Sequence, residues 1–218
     1  GWEIEEKADH TPLTLADRRA NDIIMRHLRA TGHPILGEEG PLPDYEERKN
    51  WPGLWVVDPL DGTSEFLKRN DEFTVNIAWV QDGRPMAGVI YLPVTHTLYF
   101  GMEGMGAFKV GDVTVAKSEE ELIRAAQRLP IEKQHEGFVV VASRSHLSGE
   151  TEAYIDLLRK DHPDLSLISA GSSMKLCRVA EGSADVYPRF APTMEWDTAA
   201  GDAIVRAAGG EGVDTERH

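Results

Sequence analysis

Three short apolar runs, 73–80, 86–92 and 97–101, follow one another with Gly or Pro at each break. Runs this short, rich in β-branched and aromatic residues and cut by turn formers, cannot propagate a long helix, and they predict an antiparallel meander. A further short apolar strand at 54–57 precedes them and runs straight into Asp58. Upstream, Leu15, Ile23, Ile24 and Leu28 recur at mixed three- and four-residue spacings. That pattern predicts an amphipathic helix from Thr14 to about Ala30, ended by Gly32 and Pro34. The charged, Pro-containing stretch 40–52 between helix and strand reads as an exposed loop.

Beyond the meander the character of the chain changes. Residues 117–134 are polar and helix-prone and mark a candidate boundary. After them come strand-like runs at 138–142, 165–169 and 184–187, alternating with helical patterns at 150–159, 172–180 and 198–208, the last closed by Gly209-Gly210. Strands alternating with helices predict an α/β second half, 135–218, packed beside an α+β first half, 1–134.

Bulk properties narrow the function classes. With 23 Lys and Arg against 37 Asp and Glu, a net charge of −14 argues against unaided binding to DNA, RNA or an anionic membrane surface. The single cysteine, Cys177, rules out an internal disulfide and any multi-cysteine zinc site, and it suits a reducing cytoplasm. Nothing approaches the roughly 18 consecutive apolar residues of a transmembrane helix, and Gly1-Trp2-Glu3-Ile4-Glu5-Glu6 is not a signal peptide. Peripheral association with the cytoplasmic face of a membrane stays open. The chain does not open on Met, which leaves room for residues upstream.

Asp58-Pro59-Leu60-Asp61-Gly62-Thr63 delivers two carboxylates three residues apart at what reads as a sharp turn, where both can face one point. Magnesium prefers oxygen ligands and keeps several waters, so two or three carboxylates and the Leu60 carbonyl would suffice to hold it. Gly62 lets the backbone approach closely, and free N–H groups of a helix starting there would receive a phosphate. Alone, Asp-x-x-Asp-Gly is more often a plain surface turn. Glu38-Glu39, after Gly37 and the apolar Ile35-Leu36, stands at the end of another expected strand and reads by itself as a solvated turn. Asp197, in Trp196-Asp197-Thr198-Ala199-Ala200-Gly201, reads equally as a helix N-cap, and Thr14-x-x-Asp17 as a capping pair.

Together, Gly-Glu-Glu, Asp-Pro-Leu-Asp-Gly-Thr and Trp-Asp-x-Ala-Ala-Gly, in this order and at these separations, resemble the inositol monophosphatase superfamily of magnesium-dependent, lithium-sensitive phosphatases. The resemblance runs from about Lys7 to Gly210. It implies a mixed α+β fold, the layered α-β-α-β-α sandwich of the sugar phosphatases, and two or three Mg²⁺ ions held by Glu38, Asp58, Asp61, Asp197 and the Leu60 carbonyl. Gly62 and Thr63 would hold the scissile phosphate, and a water activated by the ions would attack in line, with no covalent enzyme intermediate. In the nucleotide-processing branch an Asp on the first helix pairs with the Thr of Asp-Gly-Thr; Asp17 and Thr63 occupy those positions, so Asp17, Thr63 and Glu38 are the implied catalytic residues.

The branch is suggested by other segments. Ser143-Arg144-Ser145-His146, Gly171-Ser172-Ser173-Met174-Lys175-Leu176-Cys177, Tyr187-Pro188-Arg189 and the run 65–78 resemble the bacterial 3'(2'),5'-bisphosphate nucleotidases of sulfur assimilation, the CysQ-type enzymes. Their substrate carries a second phosphate that is not hydrolysed and needs its own cationic pocket. Ser172 at a helix start, Lys175, Arg189 and His146 are the candidates for it, although Lys175 and Arg189 each read in isolation as surface cations and His146 as an exposed loop residue. Ser64 departs from the nucleotidase pattern, which usually has Lys there, and is closer to the inositol phosphatases. The expected partner is therefore a small phosphorylated nucleotide, with an inositol or sugar phosphate as alternative, a non-enzymatic phospholigand scaffold as a third reading, and a homodimer left open.

Overall fold

The computed structural model describes residues 4–6, 12–114, 118–130, 133, 135–143 and 147–214. A short antiparallel pair, β1 (Ile4–Glu6) and β2 (Pro12–Thr14), leads into helix α1 (Leu15–Arg29). The start of α1 is a capping box: the Thr14 hydroxyl accepts from the Ala16 and Asp17 N–H groups, and the Asp17 carboxylate accepts from the Thr14 N–H at 2.8 Å. Arg26, His27 and Arg29 complement the helix dipole at the other end.

Next come β3 (Ile35–Gly37), a one-turn helix α2 (Tyr45–Arg48), β4 (Gly53–Asp61), α3 (Thr63–Lys68), β5 (Thr74–Gln81), β6 (Arg84–Leu92), β7 (Thr97–Met102), β8 (Gly106–Val110), α4 (Glu119–Ala125) and β9 (Gln127–Leu129). The strands β3 to β9 form one seven-stranded sheet in sequence order, parallel between β3 and β4 and antiparallel elsewhere. The predicted meander is present. The stretch expected to be a loop at 40–52 contains α2, and the polar stretch after the meander does not stay helical: α4 stops at Ala125 and β9 completes the sheet edge.

The remainder is β10 (Val139–Ser143), α5 (Gly149–Asp161), β11 (Ser166–Ala170), α6 (Met174–Ala180) and α7 (Glu195–Ala207). β10 and β11 pair in parallel, as a strand–helix–strand unit requires. The strand expected at 184–187 is reduced to a single bridge, Val140 to Val186, because the Asp185 side chain takes the Val139 N–H at 2.7 Å. The helix expected from Ser172 begins at Met174; Ser172 itself has φ 44°, left-handed backbone that cannot continue into a helix.

Period-two alternation sends the two faces of the large sheet to different helices. Gly37 and Val57 face α1, where a Cβ on Gly37 would lie 3.3 Å from Met25 Cε. Leu36, Val56, Ala78 and Ile90 face the other way, onto Ala199, Ala200, Ile204 and Val205 of α7. Gly88 makes that contact close: a Cβ there would lie 2.1 Å from the Ala200 carbonyl oxygen. α7 packs on α6, whose Met174 and Val179 cover Val139, Val141 and Ala170, while Val140 and Ala142 on the far side of that small sheet meet Ile155 of α5. The layers thus run α1, large sheet, α6 and α7, small sheet, α5, a mixed α+β sandwich. Because α7 belongs to the second half but packs on β5, β6 and β7, residues 1–134 and 135–218 share one core at this helix. No helix among the described residues is long and apolar enough to cross a membrane.

Candidate active site

The strand β4 does not end before the acids, as the turn reading expects, but carries both. In a regular strand residues three apart face opposite sides of the sheet. Asp58 opposes Asn76 and Asp61 opposes Thr74, so β4 contains one more residue than β5 over this stretch. That bulge, at Pro59-Leu60, re-aims Asp61 to the side of Asp58. The Asp58 carboxylate also turns back onto the Leu60 N–H at 2.9 Å. Asp197, in the first turn of α7, completes the group: one carboxylate oxygen from each of Asp58, Asp61 and Asp197 lies within 4.8 Å of the others.

Three carboxylates this close repel one another. Burial pushes the Asp58 carboxyl well above its ordinary value, and the charges of Asp61 and Glu38 push it in the same direction. Burial also raises Asp61, with the Ser173 hydroxyl opposing and Asp197 reinforcing the shift. Glu38, at the exit of β3, is within hydrogen-bonding reach of Asp58. A divalent cation bound among these oxygens would replace mutual repulsion by attraction, and an all-oxygen donor set is what a hard ion such as Mg²⁺ selects. Asp58, Asp61, Asp197 and Glu38 therefore fit a metal.

Gly62 follows with φ 91°, a conformation that favours glycine, and a Cβ there would stand 3.2 Å from both the Glu72 carbonyl oxygen and Ser172 Cβ. Thr63 opens α3, and its hydroxyl lies 3.4 Å from Asp17 Oδ1 and 3.4 Å from the Leu60 carbonyl oxygen. Asp17 is 1% exposed and so reaches the cleft through Thr63.

Glu38, Asp58, Asp61, Gly62, Thr63 and Asp197 line one open cleft of about 260 Å³, which Ser172, Lys175, Tyr187 and Arg189 also line. Lys175, in the first turn of α6, is 4% exposed; its ammonium donates to the Ser172 carbonyl and lies 5.3 Å from the centre of the Tyr187 ring. Burial lowers its pKa, opposed by the charge of Asp61 and reinforced by that of Arg189. Arg189 donates to the Tyr187 hydroxyl at 3.3 Å and to the Pro192 carbonyl at 3.0 Å, and neither its buried Nε nor the buried Ser172 Oγ has a hydrogen-bond partner among the described residues.

Residues 2–218 match the inositol monophosphatase family. The chain belongs to that family. This inositol monophosphatase-family chain is 44% identical over 209 residues to the 3'(2'),5'-bisphosphate nucleotidase CysQ of Shigella flexneri, covering 95% of the chain and 78% of that protein. The crystal structure of CysQ from Bacteroides thetaiotaomicron superposes with a TM-score of 0.85 at 56% identity, over 93% of the chain and 76% of that structure. The extragenic suppressor protein suhB of Bartonella henselae gives 0.72 at 27% identity, over 96% and 76%.

Of the sequence-predicted residues of this family member, Glu38, Asp58, Leu60, Asp61, Gly62, Thr63, Asp197, Ser172, Lys175 and Arg189 all line the cleft. Asp17 stands behind Thr63, and His146 lies outside the described residues. Sequence reasoning missed Asn76, Ser173 and Tyr187. Tyr187 stands in the quoted Tyr-Pro-Arg motif, two residues from Arg189; Asn76 and Ser173 also sit inside quoted motifs, but a buried amide and a buried hydroxyl carry no signal of their own.

Proposed function

We propose that this chain is a magnesium-dependent 3'(2'),5'-bisphosphate nucleotidase that removes the 3'-phosphate of adenosine 3',5'-bisphosphate to give AMP, with the sulfated analogue as a further substrate. The observation that carries the reading is the charge lining the cleft: the acids Asp58, Asp61 and Asp197 share it with the cations Lys175 and Arg189. A bisphosphate needs both, since one phosphate reacts beside the metal ligands while the other is held and left intact. The nucleotidase name of the relative from Shigella flexneri supports it, as does the name CysQ that the Bacteroides thetaiotaomicron structure shares with that relative.

When bound, Mg²⁺ lowers the pKa of a water and stabilises charge on the attacking and leaving oxygens. Asp58, Asp61, Asp197 and Glu38 hold the ion; Asp17, through the Thr63 hydroxyl, draws a proton from the attacking water. The backbone at Gly62-Thr63 receives the scissile phosphate. Arg189 offers its guanidinium to the second phosphate, and Tyr187, which also lines the cleft, is fixed by hydrogen bonding with Arg189. The site works in a cytoplasmic enzyme of sulfur assimilation, inhibited by lithium.

A second reading, an inositol or sugar phosphatase, is favoured by one cleft residue, Ser64. Phosphate release from adenosine 3',5'-bisphosphate and from inositol 1-phosphate, each with Mg²⁺ and then with added Li⁺, separates the two. Faster turnover of the inositol phosphate would overturn the nucleotidase reading. Binding of either without turnover would leave a phospholigand scaffold.

A further inference from the structure

Three polar contacts beside the cleft converge on one hydroxyl. Ser173 is 3% exposed and stands just before α6, yet its Oγ touches groups from three other elements. It lies 2.6 Å from Asp61 Oδ2 on β4, 2.8 Å from Asn76 Nδ2 on β5 and 3.0 Å from the Asp197 carbonyl oxygen on α7. A hydroxyl has one proton and two lone pairs. The Asn76 amide donates to it, and the proton goes to Asp61, whose oxygen is the nearer and the charged acceptor. Asn76 Nδ2 also reaches Asp61 Oδ2 directly at 3.3 Å, and the Thr74 hydroxyl reaches the same oxygen at 3.5 Å. Rotating the Asn76 amide by half a turn would aim its carbonyl oxygen at a carboxylate, so the donor orientation is required by charge.

All three donors use Oδ2 of Asp61, and none uses Oδ1. We infer that Ser173, itself oriented by Asn76, is a positioning residue for the metal site: it anchors Oδ2 of Asp61 and so leaves Oδ1 to turn toward Asp58 and Asp197. A carboxylate that is not so anchored rotates away from two neighbouring anions when no cation is present, and the site must then be reassembled on binding. Groups that hold a metal ligand by hydrogen bonds carry a large share of metal affinity for this reason.

The inference rests on the reading of Asp58, Asp61 and Asp197 as a magnesium site, and the experiment keeps the two apart. Metal-stripped wild type, Ser173→Ala and Ser173→Thr are titrated with Mg²⁺ by calorimetry in the absence of substrate, and each is then assayed for KM against substrate at saturating Mg²⁺. Expected is a loss of Mg²⁺ affinity of about 10-fold or more in the alanine variant, its recovery in the threonine variant, and an unchanged KM for substrate once metal saturates. Should the alanine protein fail to fold, Ser173→Cys keeps the volume and supplies only a weak donor, and it carries the same expectation. Wild-type affinity in the variant lacking the hydroxyl, or a raised KM with unchanged Mg²⁺ affinity, overturns the positioning role alone. Failure of the wild type to bind Mg²⁺ overturns the metal site and the inference with it.

Discussion

The Thr63 hydroxyl lies 3.4 Å from Oδ1 of Asp17, whose other oxygen accepts the Thr14 N–H at 2.8 Å. One carboxylate therefore serves two purposes, closing the capping box of α1 and accepting from a residue of the cleft. The Leu60 carbonyl competes for the Thr63 proton at the same 3.4 Å, but a charged acceptor is the stronger. Contacts of this length tighten when substrate binds. Asp17→Asn keeps an oxygen for the Thr14 N–H and removes the charge. Its kcat should fall by roughly 10²- to 10⁴-fold, the range for loss of a general base, with KM and the circular-dichroism melt little changed. A kcat within threefold of wild type would reduce Asp17 to a cap.

Metal binding should be visible without any substrate. The raised carboxyls of Asp58 and Asp61 mark a cluster that is destabilising when unpaired. Mg²⁺ at about 100 times its Kd adds about 2.7 kcal/mol to the folded state, which for a chain of this size raises Tm by on the order of 5–10 °C. Asp61→Asn should abolish both the shift and turnover, while the metal-free variant melts above metal-free wild type because one buried like charge is gone. Differential scanning fluorimetry with and without chelator reads both. A metal-free variant that melts lower instead would make Asp61 a structural acid.

The kinds of side chain in the site were legible in the sequence, and their aim was not. Glu38, Asp58, Asp61 and Asp197 stand in local motifs whose order identifies the family, and all four line the cleft. The bulge that turns Asp61 to the side of Asp58 depends on how β4 registers with β5, a pairing that no local pattern specifies. Ser173 and Asn76 are 97 residues apart and meet only because α6 is laid across the sheet, so neither could be distinguished from an ordinary turn serine or strand asparagine. The misread elements have similar causes. Gln127-Arg128-Leu129 has no apolar run and becomes a strand by offering its backbone to the open edge of β8, where tertiary context overrides propensity.

Away from the cleft, Glu181 at the end of α6 pins that helix to the large sheet. Its carboxylate accepts from the Lys109 ammonium at 2.6 Å, the Tyr99 hydroxyl at 2.7 Å, the Ser183 hydroxyl at 2.8 Å and the Arg178 guanidinium at 2.9 Å. Burial alone would raise its pKa, but the hydrogen bonds from Lys109, Tyr99 and Ser183 outweigh it and hold the carboxyl below its ordinary 4.5. An acid depressed in the folded state contributes stability at pH values above its unfolded pKa and loses it as pH falls toward the folded value. Glu181→Gln should therefore be less stable than wild type at neutral pH, by roughly 1–3 kcal/mol for bonds to a charged group. The gap should close as pH is lowered from about 7 to about 3. Urea melts across that range check it, and a gap independent of pH would mean that the charge of Glu181 contributes nothing.

The two cations of the cleft should not be equivalent. The Lys175 ammonium is already committed to the Ser172 carbonyl and the Tyr187 ring, and it sits in the field of Asp61. Arg189 has a buried Nε that no group among the described residues satisfies, and its guanidinium lines the cleft with charge to spare for an anion. Removing Arg189 should therefore cost a substrate with two phosphates far more than one with a single phosphate. For a hydrogen bond between charged groups, about 1.5–3 kcal/mol, Arg189→Ala should raise KM for adenosine 3',5'-bisphosphate by roughly 10- to 100-fold and leave KM for a nucleoside 3'-monophosphate nearly unchanged. Arg189→Lys restores charge without the planar fork and should recover only part of the loss. Lys175→Ala should shift both substrates together, because the ammonium acts on Asp61 and on the shape of the 172–175 turn. If the two variants show the same ratio between substrates, the second phosphate is not read by Arg189, and the polarity of the cleft serves the reacting phosphate alone.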